Sequence, residues 1–347
     1  MRRLASRLST PLETLLLDMP ALAENRIGAS NVRQVSVWRP TDVPPENLPL
    51  IVCLAAYLSS GPSLTGWRNF GESIPERLDR LYEQGTLEPA VVVFVDSFNR
   101  LGGNQFVNSP IIGKWTDALA DDLIPAIEHR YGCGGPGLRG LFGHSSGGYG
   151  ALYNLALRPD VWSAAASHAG DCGFDLVYRP ELPKAVRTLA SFEGDIEEFL
   201  RAFWLKEKPK GEEVSTLMML AMAASYDPVD ENGGPIIRLP VSLDACEMIE
   251  SRWAKWLAYD PLSFAAAQAE ALSSSKLIYV DCGRQDEFNI LYGSRRLNRI
   301  LETAGAPIIY EEFDGGHGTI GPRYEVSLPK LISSLMRVSN PLETVQN

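Results

Sequence analysis

The chain has 347 residues, 45% of them hydrophobic, which is ample for one large α/β unit carrying an insertion. Its 43 acidic residues against 32 basic ones give a net charge of −11, and such a chain repels phosphate backbones and anionic lipid. Nucleic acid and membrane are therefore not expected as partners, and no window offers the long uncharged run of a spanning helix.

The start, MRRLASRLSTPLETLLLDMP, is basic and then partly apolar. LETLLLDMP is too short and too charged for a secretory core, so a cytoplasmic protein is expected. RQVSVW (33–38) alternates with period two and predicts a strand. Continuous apolar runs at 48–56, 89–97, 138–143, 161–168 and 276–283 predict strands buried on both faces, and PIIYEEF (307–313) closes the series. Between them, spacing near 3.6 predicts helices over 114–132, with a glycine stop, and over 148–160, 288–305 and 325–339. Strand and helix alternate, so the expected class is α/β: a mostly parallel central sheet with helices on both faces. Residues 173–262 break the rhythm, with helical pieces and no convincing strand. The expected organisation is a core of residues 1–172 and 263–347 with a helical cap of residues 173–262. Cys53, Cys133, Cys172, Cys246 and Cys282 are odd in number, widely spaced and without C-x-x-C, which predicts buried thiols rather than disulfides or zinc. No metal or cofactor is expected.

RGLFGHSSGGYGAL (139–152) carries the chemistry. Gly143-His144-Ser145-Ser146-Gly147 fits G-x-S-x-G after a predicted strand and before a predicted helix. A nucleophile there stands on a sharp, strained turn. Side chains two residues before and after would collide with neighbouring strand and helix, so both must be small. Shifting the frame to Ser146 would put His144 at the first glycine position, so Ser145 is the expected nucleophile. The bland alternative is a glycine-rich turn with no chemistry. Two decoys fail. Gly132, Gly134 and Gly137 match G-x-G-x-x-G but precede a strand. Gly143 and Gly148 have P-loop spacing but lack the Lys-Ser/Thr that binds phosphate.

A serine needs a base, and the chain has four histidines. His129 is expected on a helix surface. His144 lies inside the elbow with its ring expected to point away from the serine. His168 ends a strand and reads as a core histidine. His317, in FDGGHGTIG after the last strand, can reach the sheet's C-terminal edge, where open α/β sheets bind ligands. His317 is the expected base. The orienting acid should come from VDCGRQDEFNI. Asp281 lies within the strand and reads as structural. Asp286, in the following loop, is the expected acid, with Glu287, expected to face solvent, second.

PLIVCLAA, VVFVDSFNRLGGNQF, DDLIPAIEHRYG, GLFGHSSGGYGAL, CGRQDEF and GGH, in this order over roughly residues 30–335, resemble the Putative esterase family of α/β-hydrolases. That family includes S-formylglutathione hydrolases, feruloyl esterases, siderophore esterases and the antigen 85 mycolyltransferases. The resemblance implies Ser145, Asp286 and His317 as a triad, with the backbone amides of Tyr57 and Ser146 as the oxyanion hole. Two features depart from the family. Ala55-Ala56 stand where it commonly has His-Gly, and the tryptophans often found after GGH are missing.

Loop 97–110 should overhang the site. Its Asn99, Asn104, Gln105 and Asn108 either bind a polar part of the substrate or brace the loop. Met218, Met219 and Met222, like Trp253 and Trp256, either line an apolar pocket or pack the cap. The expected activity is hydrolysis of a small carboxylic ester, thioester or lactone, with Asn104, Gln105, Asn108, Met218 and Met222 as substrate contacts. Acyl transfer to an alcohol, thiol or amine is the alternative, and a non-catalytic binding protein on a hydrolase scaffold is a third.

Overall fold

In a computed structural model, residues 10–68, 70–231 and 234–337 are described. The basic start and the end of the helix expected over 325–339 lie outside them. Eight strands form the central sheet: β1 (Glu13–Asp18), β2 (Val32–Trp38), β3 (Leu50–Leu54), β4 (Val91–Val95), β5 (Arg139–His144), β6 (Ala164–His168), β7 (Leu277–Gly283) and β8 (Ile308–Phe313). Their spatial order is β1-β2-β4-β3-β5-β6-β7-β8. β2 runs antiparallel to both of its neighbours, and from β4 to β8 all pairs are parallel.

The reason for the strand pattern is burial. β3, β4, β6 and β7 are buried at every residue, which explains their unbroken apolar runs. β1 is an edge strand whose burial alternates residue by residue. LETLLL carries too few apolar residues in alternation to have been read as a strand, and its pairing with β2 supplies what local sequence does not. Helices Ser146–Leu157, Ile290–Thr303 and Tyr324–Met336 pack around the sheet. Trp115–Tyr131 is continuous helical structure, π-helical over Ala118–Leu123, and Gly132 stops it in the left-handed conformation at φ 66°. Gly134, Gly135 and Gly137 also have positive φ, so the G-x-G-x-x-G match is a tight turn leading into β5.

Between β6 and β7 the chain is mainly helical, including Leu182–Ala190, Ile196–Trp204, Gly211–Tyr226, Glu250–Ala258 and Pro261–Ala267. One feature was not expected: Val229–Glu231 pairs antiparallel with Gly234–Ile236. This segment carries an aromatic cluster, with Tyr226 and Tyr178 5.6 and 6.0 Å from Trp256, whose side chain is fully buried. Trp256 is thus core. Of the five free cysteines, Cys53, Cys133, Cys172 and Cys282 are buried and Cys246 is half-buried. Among the described residues no cluster fit for a metal ion occurs, and no helix is long and apolar enough to cross a membrane.

Candidate active site

β5 ends in a turn that forces Ser145 into φ 55°, ψ −123°. This is a positive-φ backbone position, outside the left-handed helical well, that a non-glycine residue holds only when its surroundings impose it. The two glycines of the elbow are required by contact. A Cβ on Gly147 would sit 2.0 Å from the Leu54 carbonyl oxygen, and one on Gly143 would sit 2.4 Å from the Gly147 carbonyl carbon. Helix Ser146–Leu157 starts immediately after the nucleophile. The Ser146 amide is therefore among the first-turn donors that have no acceptor within the helix, and the helix N-terminus favours nearby negative charge.

His317 and Asp286 meet as the sequence predicts. His317 Nδ1 lies 2.8 Å from Asp286 Oδ2, and the Asp286 side chain is fully buried. The other carboxylate oxygen accepts the backbone N–H groups of Phe288 and Ile290, so Asp286 is held from both ends. Phe288 packs edge-on against the His317 ring at 4.8 Å. His144 packs on it at 4.5 Å, so its ring lies against the base. Burial and the neighbouring imidazoles push the His144 pKa down to about 3, which keeps that ring neutral. Glu287 is exposed, as expected, but it also has a partner. Its carboxylate accepts the His317 backbone N–H at 2.7 Å and braces the histidine loop.

The remaining histidines and acids fall as read. His168 is fully buried between Asp281 (Nδ1 to Oδ1, 2.8 Å) and Ser327 (Nε2 to Oγ, 2.8 Å). Asp281 also accepts from Arg323 and Tyr279. His129 is exposed.

Tyr57 follows β3 at the same edge of the sheet. Its hydroxyl donates to the Leu101 carbonyl at 2.9 Å, and the next amide, Leu58, donates to Gly102. These two bonds fix the Tyr57 loop against the loop after β4. There the four amides divide. Asn99 bonds Leu101 and Gly103, and Asn104 bonds Ser97 and Phe106, so both brace the loop. Asn108 is exposed and paired with Asp117. Gln105 is fully buried and donates to the Ser146 hydroxyl at 2.7 Å. In helix Gly211–Tyr226, Met219 and Met222 are fully buried and Met218 is half-buried. Trp253 is also buried.

Sequence reasoning missed Asp171. It is 5% exposed and accepts from Ser145 Oγ (3.2 Å), Ser146 Oγ (3.2 Å) and the Tyr178 hydroxyl (2.7 Å). Burial raises its pKa, opposed by these hydroxyls and by the His317 charge. Among the described residues no hydrogen bond joins Ser145 to His317. The signal that could have found it is an acid three residues beyond the strand next to the nucleophile's strand, at the edge where ligands bind.

Residues 30–329 match the family model Esterase, described as Putative esterase. No curated protein sequence matches the chain. Among solved structures it is similar to a ferulic acid esterase at 17% identity, covering 95% of this chain and 100% of that one with a TM-score of 0.59. It is also similar to an S-formylglutathione hydrolase from Agrobacterium tumefaciens (12% identity, 95% and 98% covered, TM-score 0.55). A third is FphF, a fluorophosphonate-binding serine hydrolase of Staphylococcus aureus (13% identity, 95% and 99% covered, TM-score 0.53). At these identities the structural likeness speaks for the fold, which is that of the α/β-hydrolases.

Proposed function

The chain belongs to the Putative esterase family, carboxylic ester hydrolases of the α/β-hydrolase fold, and from that premise we propose that Ser145, His317 and Asp286 cleave a small ester through an acyl-enzyme. The observation that carries this reading is the strained Ser145 elbow, whose His144 packs on the His317 ring of a part-buried His317–Asp286 pair. Ser145 Oγ attacks the acyl carbonyl while His317 Nε2 takes its proton. Asp286 holds the Nδ1 proton and stabilises the imidazolium. The oxyanion faces the amides of Tyr57 and Ser146. His317 then protonates the departing alkoxide, and water, activated by the same imidazole, releases the acid and restores Ser145.

Residues 173–262 act as the cap in this reading. Leu217 of helix Gly211–Tyr226 would lie 3.1 Å from a Cβ on Gly102, beside Tyr57, and Tyr178 reaches Asp171. Met218 of that helix, half-buried, is the methionine placed to supply an apolar contact to the acyl group, with Met222 packed behind it, and Gln105 acts through the Ser146 hydroxyl it binds. The five free cysteines fit a reducing, cytoplasmic setting.

Fluorophosphonate labelling with mapping of the modified peptide tests the frame. Ser145→Ala should lose both label and ester turnover while unfolding at an unchanged temperature. Ser146→Ala should keep the label. The opposite result removes Ser145 from the reaction.

A further inference from the structure

Attack by Ser145 has a consequence for Asp171. In the resting site Asp171 Oδ1 holds the Ser145 hydroxyl proton at 3.2 Å, while Oδ2 receives Ser146 and Tyr178. The direction of the second bond is fixed by Gln105, whose Nε2 occupies the acceptor side of the Ser146 hydroxyl and turns its proton toward Asp171. Three hydroxyls thus converge on one buried carboxylate. Once Ser145 Oγ is bonded to an acyl carbon it has no proton to donate. Oδ1 then lacks its donor at the moment the tetrahedral adduct forms, and a buried acceptor left unpaired is costly.

We propose that Asp171 is a specificity residue that selects acyl groups bearing a hydrogen-bond donor, a hydroxyl or an N–H, on the carbon next to the ester carbonyl. This rests on the serine-esterase reading above. Such a donor stands three bonds from Oγ in the adduct, close enough to replace the serine proton on Oδ1. As it arrives it displaces the Ser145 hydroxyl from Asp171 and leaves that proton to His317. An acyl group without a donor leaves Oδ1 bare. An acyl group with its own carboxylate sets a second negative charge beside the buried Asp171 carboxylate. The site thereby ranks 2-hydroxy and 2-amino or 2-amido acyl esters first, plain acyl esters second and anionic acyl esters last.

Three small esters of similar size read this ranking: methyl lactate, methyl propionate and monomethyl malonate. For the wild type, kcat/KM should fall about tenfold or more at each step in that order, the scale of a hydrogen bond to a charged group. Asp171→Asn keeps the shape and removes the charge. It should bring both ratios at least about tenfold closer to one. Tyr178→Phe removes a donor but not the carboxylate, and should keep the wild-type order. A role confined to packing predicts a lower unfolding temperature and an even loss for all three esters. Equal ratios in wild type and Asp171→Asn overturn the proposal, as does a wild type that fails to favour the lactate ester, including one that cleaves none of the three. Labelling of Ser145 by a fluorophosphonate separates the two failures. A labelled enzyme without the ranking loses only the Asp171 proposal, whereas a folded wild type that takes no label at Ser145 loses the esterase mechanism itself.

Discussion

Asp281 and Asp286 lie five positions apart and face different partners. Asp281, fully buried, ties His168, Arg323 and Tyr279 together beneath the sheet edge, whereas Asp286 emerges in the loop and fixes His317. Replacing each by asparagine should separate the two roles. Asp286→Asn should cut kcat roughly ten-thousand-fold by spoiling the imidazole tautomer, with little change in unfolding temperature. Asp281→Asn should cost about 3–5 kcal/mol of stability, because it breaks a buried ion pair from one side. Paired kinetics and thermal melts check both; near wild-type turnover in Asp286→Asn would remove it from the triad. His144 gives a pH signature. The unfolded chain takes up its proton near pH 6.5, but the folded ring resists until about pH 3. Its contribution is therefore complete above pH 6.5 and lost as pH falls, by about 1.4 kcal/mol per pH unit. Urea unfolding at pH 7, 6 and 5 should show that slope reduced in His144→Asn, and identical slopes would mean the imidazole is charged in the fold. Ser145, Asp286 and His317 were legible because each sits in a short motif at a strand end. Asp171 has only its position three residues beyond β6 to mark it, and its bonds to Ser145, Ser146 and Tyr178 depend on rotamers that this position does not encode.

The elements meet at the C-terminal edge of the sheet under strain. Of the eight non-glycine residues with positive φ among those described, Leu58, Phe106, Ser145, Ala169 and Asn289 lie in the connections after β3, β4, β5, β6 and β7. Each of five consecutive connections at that edge thus holds a non-glycine residue at positive φ, the pattern expected where surrounding structure is used to hold a site. Glycines at this edge and glycines elsewhere are not interchangeable. Gly147→Ala would drive a methyl into the Leu54 carbonyl, part of the rigid sheet, so it should cost about 1–3 kcal/mol and reduce labelling of Ser145. Gly211→Ala meets open space at the start of a helix and should be neutral or gain up to about 1 kcal/mol. Chemical denaturation of both variants tests the contrast; an unperturbed Gly147→Ala would show that the elbow can relax. Seven of the eight sheet strands were legible in the sequence because continuous or alternating apolar runs mark them. β1 was not, because an edge strand with one solvated face needs few apolar residues and its order comes from β2. The short pairing of Val229–Glu231 with Gly234–Ile236 is not legible for a different reason: three residues carry no period.

At the scale of the molecule, an eight-stranded sheet supplies the rigid edge, and in the proposed reading the chain between β6 and β7 would supply the surroundings of the acyl group. The sequence marks that segment by an absence of strands, but helical periodicity cannot say which face of a helix meets substrate and which meets core. The three methionines of helix Gly211–Tyr226 show the ambiguity resolved only in part. Met219 and Met222 have no exposed surface, while Met218 is half-buried. Truncating Met222 to alanine should therefore cost about 2–5 kcal/mol through the cavity it leaves. A substrate role would add a change in the relative rates of a short and a bulky acyl ester. Met218→Ala, with more of its surface open, should lose less stability for the same change in ranking. Attack on a small activated ester should be much less affected in either variant, since Ser145, Asp286 and His317 come from other segments. A helix that only packs predicts lower stability and an even loss of activity. Unchanged relative rates in both variants, measured beside thermal unfolding, would assign these methionines to the core and shift the choice of acyl group to Asp171 and Gln105.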